Sequence, residues 1–279
     1  MQTIRYRSRG QAVYVLEEIL NKLGYDVYVS KYFGIDTHNA VIDFQAKNNL
    51  VVDGIVGLKT WSKIIEIDQA LPQFNDKFLS EQDLMDFASS NNLELAVVKA
   101  VNEVESRGKG FFITGKPAIL FEGHVFWRQL VKRNIDPTIL LNEQSKDVLY
   151  KKWTRKHYLG GSKEYSRLEK AVNLSDDKAV KEAAYCSASW GAFQIMGYHY
   201  KSLGYTSIEQ FLDKMYTHER EHLVAFGKFI SVNFYKNKKL IHWLRTKHWS
   251  NFARAYNGPG FKQNKYDEKL EKAYIKYNT

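Results

Sequence analysis

The chain has 279 residues, of which 44% are hydrophobic and 14% aromatic, so it can bury two cores and is neither disordered nor fibrous. Its net charge of +10 is uneven: residues 1–66 hold 8 basic against 7 acidic side chains, and the remainder holds 33 against 24. The basic remainder favours a polyanionic partner, but no basic zipper, zinc-finger spacing or RNA-binding signature is present, so nucleic acid is not expected. The apolar runs are far too short to cross a bilayer.

The single cysteine, Cys186, excludes an intrachain disulfide and fits folding in a reducing cytoplasm. The basic residues near the start are not followed by an apolar segment, so no secretory signal is predicted. We expect Cys186 to be a small core residue, because a nucleophilic cysteine would need a paired histidine that the sequence does not identify.

Apolar residues at helical spacing predict three helices in the first part of the chain. The first runs over residues 11–23 and is ended by Gly24, the second covers residues 40–47, and the third begins at Thr60. Thr37 is the predicted N-cap of the second helix. Taken alone, this pattern describes a three-helix bundle without an assigned ligand.

A connector is predicted at residues 68–77, which contain Pro72 and separate a first domain of residues 1–67 from a second of residues 78–279. The second domain is mostly helical by its periodicity, with one short β-element around residues 118–121. The predicted fold class is therefore mainly α, with an α+β second domain that is mostly helical.

One glutamate falls on the apolar side of a predicted helix. Glu105 ends the helical run over residues 93–105 and lies inside its apolar arc, whereas Glu103 lies on the opposite, solvent side. A carboxyl on a buried face loses hydration, which raises its pKa. Cleavage of a glycosidic bond needs such an acid to protonate the leaving oxygen. The alternative is a structural helix-end glutamate paired with Arg107 or Lys109.

Further candidates follow along the chain. Glu122 is the only acidic residue between positions 106 and 135, so it is the obvious second carboxylate. Gln194 lies close to Trp190, a combination of amide and aromatic groups that is typical of sugar binding but also fits the start of a core helix. Tyr256 begins a segment that, in isolation, predicts a turn.

A competing motif suggests a zinc enzyme. His218, Glu219 and His222 match the H-E-x-x-H pattern, in which two histidines bind zinc and the glutamate acts as base. Both intervening positions are charged here, and no third ligand has a recognisable spacing. Residues 214–221 instead indicate a solvated amphipathic helix, with the apolar residues Met215, Leu223 and Phe226 facing inward. We therefore expect neither a metal nor another cofactor.

Two stretches of motifs resemble known families. The segments 40–45, 49–57 and 60–61 (AVIDFQ, NLVVDGIVG and TW) resemble the peptidoglycan-binding domain of cell-wall hydrolases over about residues 8–66. The resemblance implies a three-helix module that docks on the bacterial wall. Asn49 stands where that family commonly has glycine.

The second domain resembles the N-acetylmuramidase domain of phage endolysins and related wall hydrolases. The segments that carry this resemblance, in an order and spacing that is specific as a set, are 103–111, 119–126, 188–197 and 252–259. It implies a lysozyme-like fold that cleaves the β-1,4 bond between N-acetylmuramic acid and N-acetylglucosamine. Glu105 would be the general acid and Glu122 the second carboxylate. Gly123 stands where the family usually has arginine.

The same resemblance implies a cleft lined near the acid by a Tyr-Asn element. The predicted substrate-binding residues are Trp190, Gln194, Tyr256 and Asn257.

The chain is thus predicted to be a monomeric peptidoglycan hydrolase of the endolysin type. Its expected partners are peptidoglycan and, electrostatically, anionic envelope polymers or lipids. We expect it to stay in the host cytoplasm until lysis and to act on the cell wall. Three alternatives stay open: a lytic transglycosylase that releases 1,6-anhydro-muramic acid, a zinc wall peptidase or amidase, and a non-catalytic wall-binding protein.

Overall fold

Two separate hydrophobic cores divide the chain, one built from residues between 4 and 64 and one from residues between 84 and 273. The computed structural model of the protein describes residues 3–67, 77–106, 110–112 and 115–278. The predicted connector at residues 68–77 lies outside the described residues except for Lys77. No helix in the described ranges is long and apolar enough to cross a membrane.

The first core is enclosed by three helices, as predicted. They are α1 (Gln11–Lys22), α2 (Ile35–Lys47) and α3 (Leu58–Ile67). Gly24 follows the end of α1 with φ +92°, a left-handed conformation that favours glycine and ends the helix. The predicted cap at Thr37 is wrong. The second helix begins earlier, after Gly34, and Thr37 is a buried residue inside it whose hydroxyl donates to Glu17.

The motif residues of the first module close a turn between α2 and α3. Gln45 is 1% exposed; its Oε1 accepts the backbone N–H groups of Asp53 and Gly54, and its Nε2 donates to Ile55 O. Gly54 has φ +69°. Asn49, at the position where glycine is common in the family it resembles, has φ +54°, which asparagine tolerates better than most residues.

Ten α-helices described in the second part surround a small sheet. They are α4 (Glu81–Asn91), α5 (Leu95–Val101), α6 (Gly123–Val131), α7 (Glu164–Val172), α8 (Lys178–Cys186), α9 (Ile208–Thr217), α10 (Glu219–Val232), α11 (Leu240–Arg245), α12 (Trp249–Asn257) and α13 (Tyr266–Tyr277). Cys186, at the end of α8, is buried, as expected.

The sheet confirms the predicted β-element and adds two strands to it. Strands β1 (Ile119–Phe121), β2 (Ala188–Trp190) and β3 (Ile195–Met196) are antiparallel in the order β1-β2-β3. A separate hairpin pairs β4 (Phe234–Tyr235) with β5 (Lys238–Lys239). The mostly helical α+β class predicted for this part is confirmed.

The helix predicted over residues 214–221 is in fact two helices. Helix α9 ends at Thr217, and α10 begins at Glu219. Between them His218 is extended, and its Nδ1 accepts the backbone N–H of Arg220 at 2.9 Å, which caps α10 and competes with a continuous helix. The three apolar residues expected to face inward, Met215, Leu223 and Phe226, are buried.

Candidate active site

The helix that carries Glu105 changes its geometry just before this residue. After Val101, α5 continues as a π-helical turn over Asn102–Ser106. Glu105 is half-buried in this turn, and Glu103 is exposed and accepts hydrogen bonds from Lys276 Nζ and Tyr277 OH, both at 2.6 Å. The predicted separation of the two glutamates into a buried and an exposed side is therefore present. Single π-helical turns inside α-helices are frequent at functional sites.

The Tyr-Asn element at the end of α12 reaches Glu105. The amide Nδ2 of Asn257 donates to the carboxyl, at 3.1 Å from Oε1 and 3.4 Å from Oε2. The neighbouring Tyr256 is half-buried, and its hydroxyl donates to Phe193 O at 2.6 Å. Burial raises the pKa of Tyr256 well above its usual value, so this phenol is neutral. Asn257 contacts the acid, and Tyr256 fixes the helix end that carries it.

A cavity of about 430 Å³ opens at the Glu105 carboxyl. Its described lining consists of amide, aromatic and apolar side chains around that single acid: Glu105, Phe193, Gln194, Ile195, Met196, Tyr198, His199, Phe229, Tyr256, Asn257, Asn264 and Tyr266. Three of the predicted substrate-binding residues, Gln194, Tyr256 and Asn257, therefore lie together with Glu105.

Gln194 is held in place although its side chain is exposed. It lies in the turn between β2 and β3 with φ +49°. Its Oε1 accepts a hydrogen bond from Ser189 Oγ at 2.7 Å, and its Nε2 donates to Gly191 O at 2.9 Å. The turn thus presents an oriented amide to the cavity.

The structure does not bring Trp190 to this cavity. Trp190 is 1% exposed, and its Nε1 donates to Tyr185 O at 3.2 Å. Successive residues of a strand point to opposite sides of the sheet. Because Ser189 bonds Gln194 on the cavity side, Trp190 points into the core, where it contacts Tyr165. The prediction that Trp190 binds sugar in this cleft is therefore wrong.

Glu122 lies at the N-cap of α6, directly after β1. Its two carboxyl oxygens are each 2.8 Å from the hydroxyl of Tyr158, which donates to them. His124 Nδ1 is 3.3 Å from Glu122 Oε2 but is not aligned for a hydrogen bond. Burial raises the pKa of Glu122, and the Tyr158 hydrogen bond and the charge of Arg167 oppose that rise.

Glu122 is not among the described residues that line the cavity. It follows Leu120 by two positions and lies just beyond the end of β1. Leu120 pairs with Ser189, the residue that bonds Gln194. Burial raises the pKa of both Glu122 and the cavity residue Tyr198, and the positive charge of Arg128 opposes the rise at each of them.

Several residues of the site were not predicted. Tyr158 follows Glu122 by 36 positions in an irregular segment, where the sequence gives no signal for it. Tyr198 and His199 come directly after the segment 188–197, so their proximity in sequence could have indicated them. Burial lowers the pKa of His199 to about 4, so this ring is neutral. Phe229 packs edge-on against it.

The residues of the H-E-x-x-H motif bond to the backbone. Both ring nitrogens of His222 are engaged, Nδ1 by the N–H of Ala192 and Nε2 by the carbonyl of Met215. His218 lies outside the helix. Among the described residues, no group of three or more histidine, cysteine, aspartate or glutamate side chains is arranged to hold a metal ion.

A mostly helical domain with a three-stranded antiparallel sheet and a half-buried glutamate in an amide- and aromatic-lined cleft is characteristic of the lysozyme-like glycoside hydrolases. Residues 94–278 match the N-acetylmuramidase family, and residues 9–64 match a peptidoglycan binding domain. The chain is also 37% identical to the crystal structure of the Burkholderia AP3 phage endolysin, covering 99% of each chain with a TM-score of 0.66.

The chain belongs to the N-acetylmuramidase family. It is a peptidoglycan hydrolase with an N-terminal peptidoglycan-binding module, as the sequence predicted, and peptidoglycan is its partner. The two matched ranges fall within the predicted domains, whose bounds at residues 67 and 78 stay predictions.

Proposed function

We propose that this chain cleaves the β-1,4 bond between N-acetylmuramic acid and N-acetylglucosamine with Glu105 as the general acid. The observation that supports this most is the contact between Asn257 and Glu105 at the wall of the cavity. The amide is closer to Oε1, at 3.1 Å, than to Oε2, at 3.4 Å. The Glu105 carboxyl lies at the cavity wall, where the glycosidic oxygen of a bound glycan can take up its proton.

The amide and aromatic lining suits an amino sugar. The exposed Gln194 amide can bond the hydroxyl and acetamido groups of the glycan. Tyr198 and Tyr266 supply aromatic faces against which the apolar side of a sugar ring packs. Cleavage at a defined position then follows from holding the glycosidic oxygen next to Glu105.

Glu122 is the proposed second carboxylate, which activates water or stabilises the oxocarbenium-like transition state. Both roles need the ionised form. The Tyr158 hydroxyl favours that form by donating to the carboxylate, whereas burial opposes it. Burial is the larger effect, so the pKa of Glu122 lies above its ordinary value, and the Tyr158 hydrogen bond limits that rise.

One observation supports a second candidate reaction. Glu105 is the only acid among the described residues that line the cavity. A lytic transglycosylase works with one acid, because a hydroxyl of the muramic acid replaces water. Mass spectrometry of digested peptidoglycan distinguishes the two reactions. We expect reducing-end muramic acid; 1,6-anhydro-muramic acid would assign the transglycosylase route, and cleaved peptides alone would contradict both.

The biological role that we propose is that of a phage endolysin. Its support is the similarity to the Burkholderia AP3 phage endolysin over 99% of both chains. The protein would act as a monomer that stays in the host cytoplasm until lysis and then degrades the wall. The excess of 33 basic over 24 acidic residues beyond position 66 would add attraction to anionic envelope polymers or lipids.

A further inference from the structure

The first turn of α10 is hydrogen-bonded to Gly110 and to the turn that carries the cavity residue Gln194. Glu219 is 6% exposed, and its carboxylate accepts the backbone N–H of Gly110 at 2.8 Å and that of Leu79 at 3.0 Å. Gly110 follows Glu105 by five positions. A Cβ atom at Gly110 would lie 2.4 Å from Glu219 Oε1, so this close approach of backbone and carboxylate requires glycine.

Three residues later, in the same turn of α10, His222 is bonded to the turn that carries Gln194. His222 is 1% exposed, and its Nδ1 accepts the N–H of Ala192 at 3.1 Å. Its Nε2 lies 2.7 Å from Met215 O and must therefore carry the proton. A Cβ atom at Gly191 would lie 2.7 Å from the imidazole ring, so glycine is needed here as well.

The two segments are also bonded to each other through the residue before β1. Ala118 N donates to Gly110 O at 2.9 Å, and Ala118 O accepts from Gly191 N at 2.8 Å and Gln194 Nε2 at 3.3 Å. The hydrogen bonds therefore form a closed ring from α10 through Gly110 and Ala118 to the Gln194 turn and back to α10. The first turn of α10 is therefore bonded to both segments, and Ala118 bonds the two segments to each other.

We propose that Glu219 and His222 are positioning residues that set the placement of Gly110 and of the Gln194 turn for catalysis at Glu105. This inference rests on the proposed function. Glu219 and His222, which belong to the apparent zinc motif, then accept hydrogen bonds from backbone N–H groups. A carboxylate is required at position 219 because two N–H donors need two acceptor oxygens, and glutamine would direct an NH₂ donor at one of them.

The first test compares Glu219→Gln with Glu221→Gln on the same helix. Glu221 is partly exposed, and its carboxylate is 3.4 Å from Lys214 Nζ. The kcat and KM of the full chain are measured on a soluble, uncrosslinked glycan strand at a temperature at which circular dichroism shows each variant folded. Because misplacement by about 1 Å can cost ~100-fold in rate, we expect kcat to fall at least about tenfold for Glu219→Gln, with KM nearly unchanged, and neither to change for Glu221→Gln.

A merely structural role for Glu219 would lower the melting temperature and leave kcat per folded molecule unchanged. That result would overturn the proposal.

A second test does not depend on the folding of Glu219→Gln. Gly110→Ala places a methyl group against the Glu219 carboxylate and should lower kcat in the otherwise unchanged chain. In the Glu219→Ala variant the added methyl group has room, so Gly110→Ala should lower kcat little further. Additive losses in the double variant, or a normal kcat for Gly110→Ala alone, would overturn the proposal.

The failure of the proposed function gives a different signature. If Glu105→Gln keeps its activity, the assignment of the acid is wrong whatever the Gly110 and Glu219 variants do. If Glu105→Gln is inactive and the losses of kcat caused by the Gly110 and Glu219 substitutions are additive, only the positioning role is wrong.

Discussion

The proton donor proposed for this enzyme is a single carboxyl group, and the chain contains a matched control two residues away. Glu105→Gln keeps the shape of the side chain but cannot supply a proton, so we expect the rate of glycan cleavage to fall by ~10²–10⁴-fold. Glu103→Gln changes an exposed residue bonded to Lys276 and Tyr277, and should leave the rate close to that of the parent.

Both rates are measured as reducing ends released from purified peptidoglycan. A folded Glu105→Gln variant that keeps more than about a tenth of the parent rate falls outside the range of general-acid catalysis and refutes the assignment.

The hydroxyl of Tyr158 favours the ionised form of Glu122 against the larger effect of burial. Tyr158→Phe removes the hydrogen bond that favours the carboxylate. Less then opposes the effect of burial, so the pKa of Glu122 rises further. A base loses activity as the pH falls through its pKa, and we therefore expect the acid limb of the kcat/KM profile to move to higher pH. In Glu122→Gln the limb should disappear and activity should fall strongly. An acid limb that is unchanged in Tyr158→Phe would show that Glu122 is not the titrating base.

The buried His222 predicts a loss of stability in acid. Burial lowers its pKa to about 4 from 6.5, and the nearby charge of His218 acts in the same direction. Between these pH values the unfolded chain binds more protons than the native one, so stability is complete above pH 6.5 and declines as the pH falls towards 4. The linkage is worth on the order of 3 kcal/mol.

The measurement is the free energy of unfolding in denaturant at several pH values for His222→Gln and for His248→Gln, which alters an exposed histidine. The decline should be shallower in His222→Gln alone. It should not vanish, because the pKa of His199 is also lowered to about 4. Equal declines in both variants would contradict the prediction.

At the scale of elements, a buried ion pair fixes the end of β1 from which Glu122 projects. Glu164 and Arg167 on α7 are both 1% exposed and 2.8 Å apart. Arg167 Nη1 donates to Phe121 O at 2.8 Å, and Glu164 Oε2 accepts from Phe121 N at 3.3 Å. The pair therefore satisfies both backbone groups of the residue that precedes Glu122.

Removing one partner leaves the other charge buried without compensation. We expect Arg167→Met to lower the free energy of unfolding by ~3–5 kcal/mol. Lys178→Met alters an exposed pair whose charges are 3.8 Å apart, and should cost less than about 1 kcal/mol. Chemical denaturation of both variants checks this, and equal losses would show that the buried pair is not a major contributor.

The elements also show what the sequence could predict. Helical periodicity was sufficient for the three-helix module and for the buried side of Glu105, because the apolar arc is a property of local spacing. It could not reveal the π-helical turn, or the break at His218, where a side chain competes for a backbone N–H. The closeness of Trp190 to Gln194 in the sequence predicts that both bind sugar. The alternation of side chains along β2 instead places Trp190 in the core. Tyr158 reaches Glu122 through tertiary contacts alone.

At the scale of the whole molecule, the two parts of the chain differ in net charge and in function. Removing one of them tests this division. The two parts have separate cores, and the described contacts between them include a hydrogen bond from Ser162 N to Glu18 and an ion pair of Lys163 with Asp26. We expect removal of residues 1–66 to weaken binding to purified sacculi and to slow their digestion, and cleavage of a soluble glycan to continue. The physical reason is that a tethered binding module raises the local concentration of the catalyst at an insoluble substrate.

Binding that survives the truncation should depend on salt. The retained part carries 33 basic against 24 acidic residues, and its attraction to anionic envelope polymers is screened over about 8 Å at physiological ionic strength. Sedimentation of the full and truncated chains with sacculi at low and high salt, paired with turnover of the soluble glycan, separates the contributions. The truncated chain should bind less at both salt levels and should lose a larger fraction of its binding at high salt, because the module contributes recognition that depends less on net charge. Equal binding of the two chains at both salt levels would show that the N-terminal module is not the wall anchor.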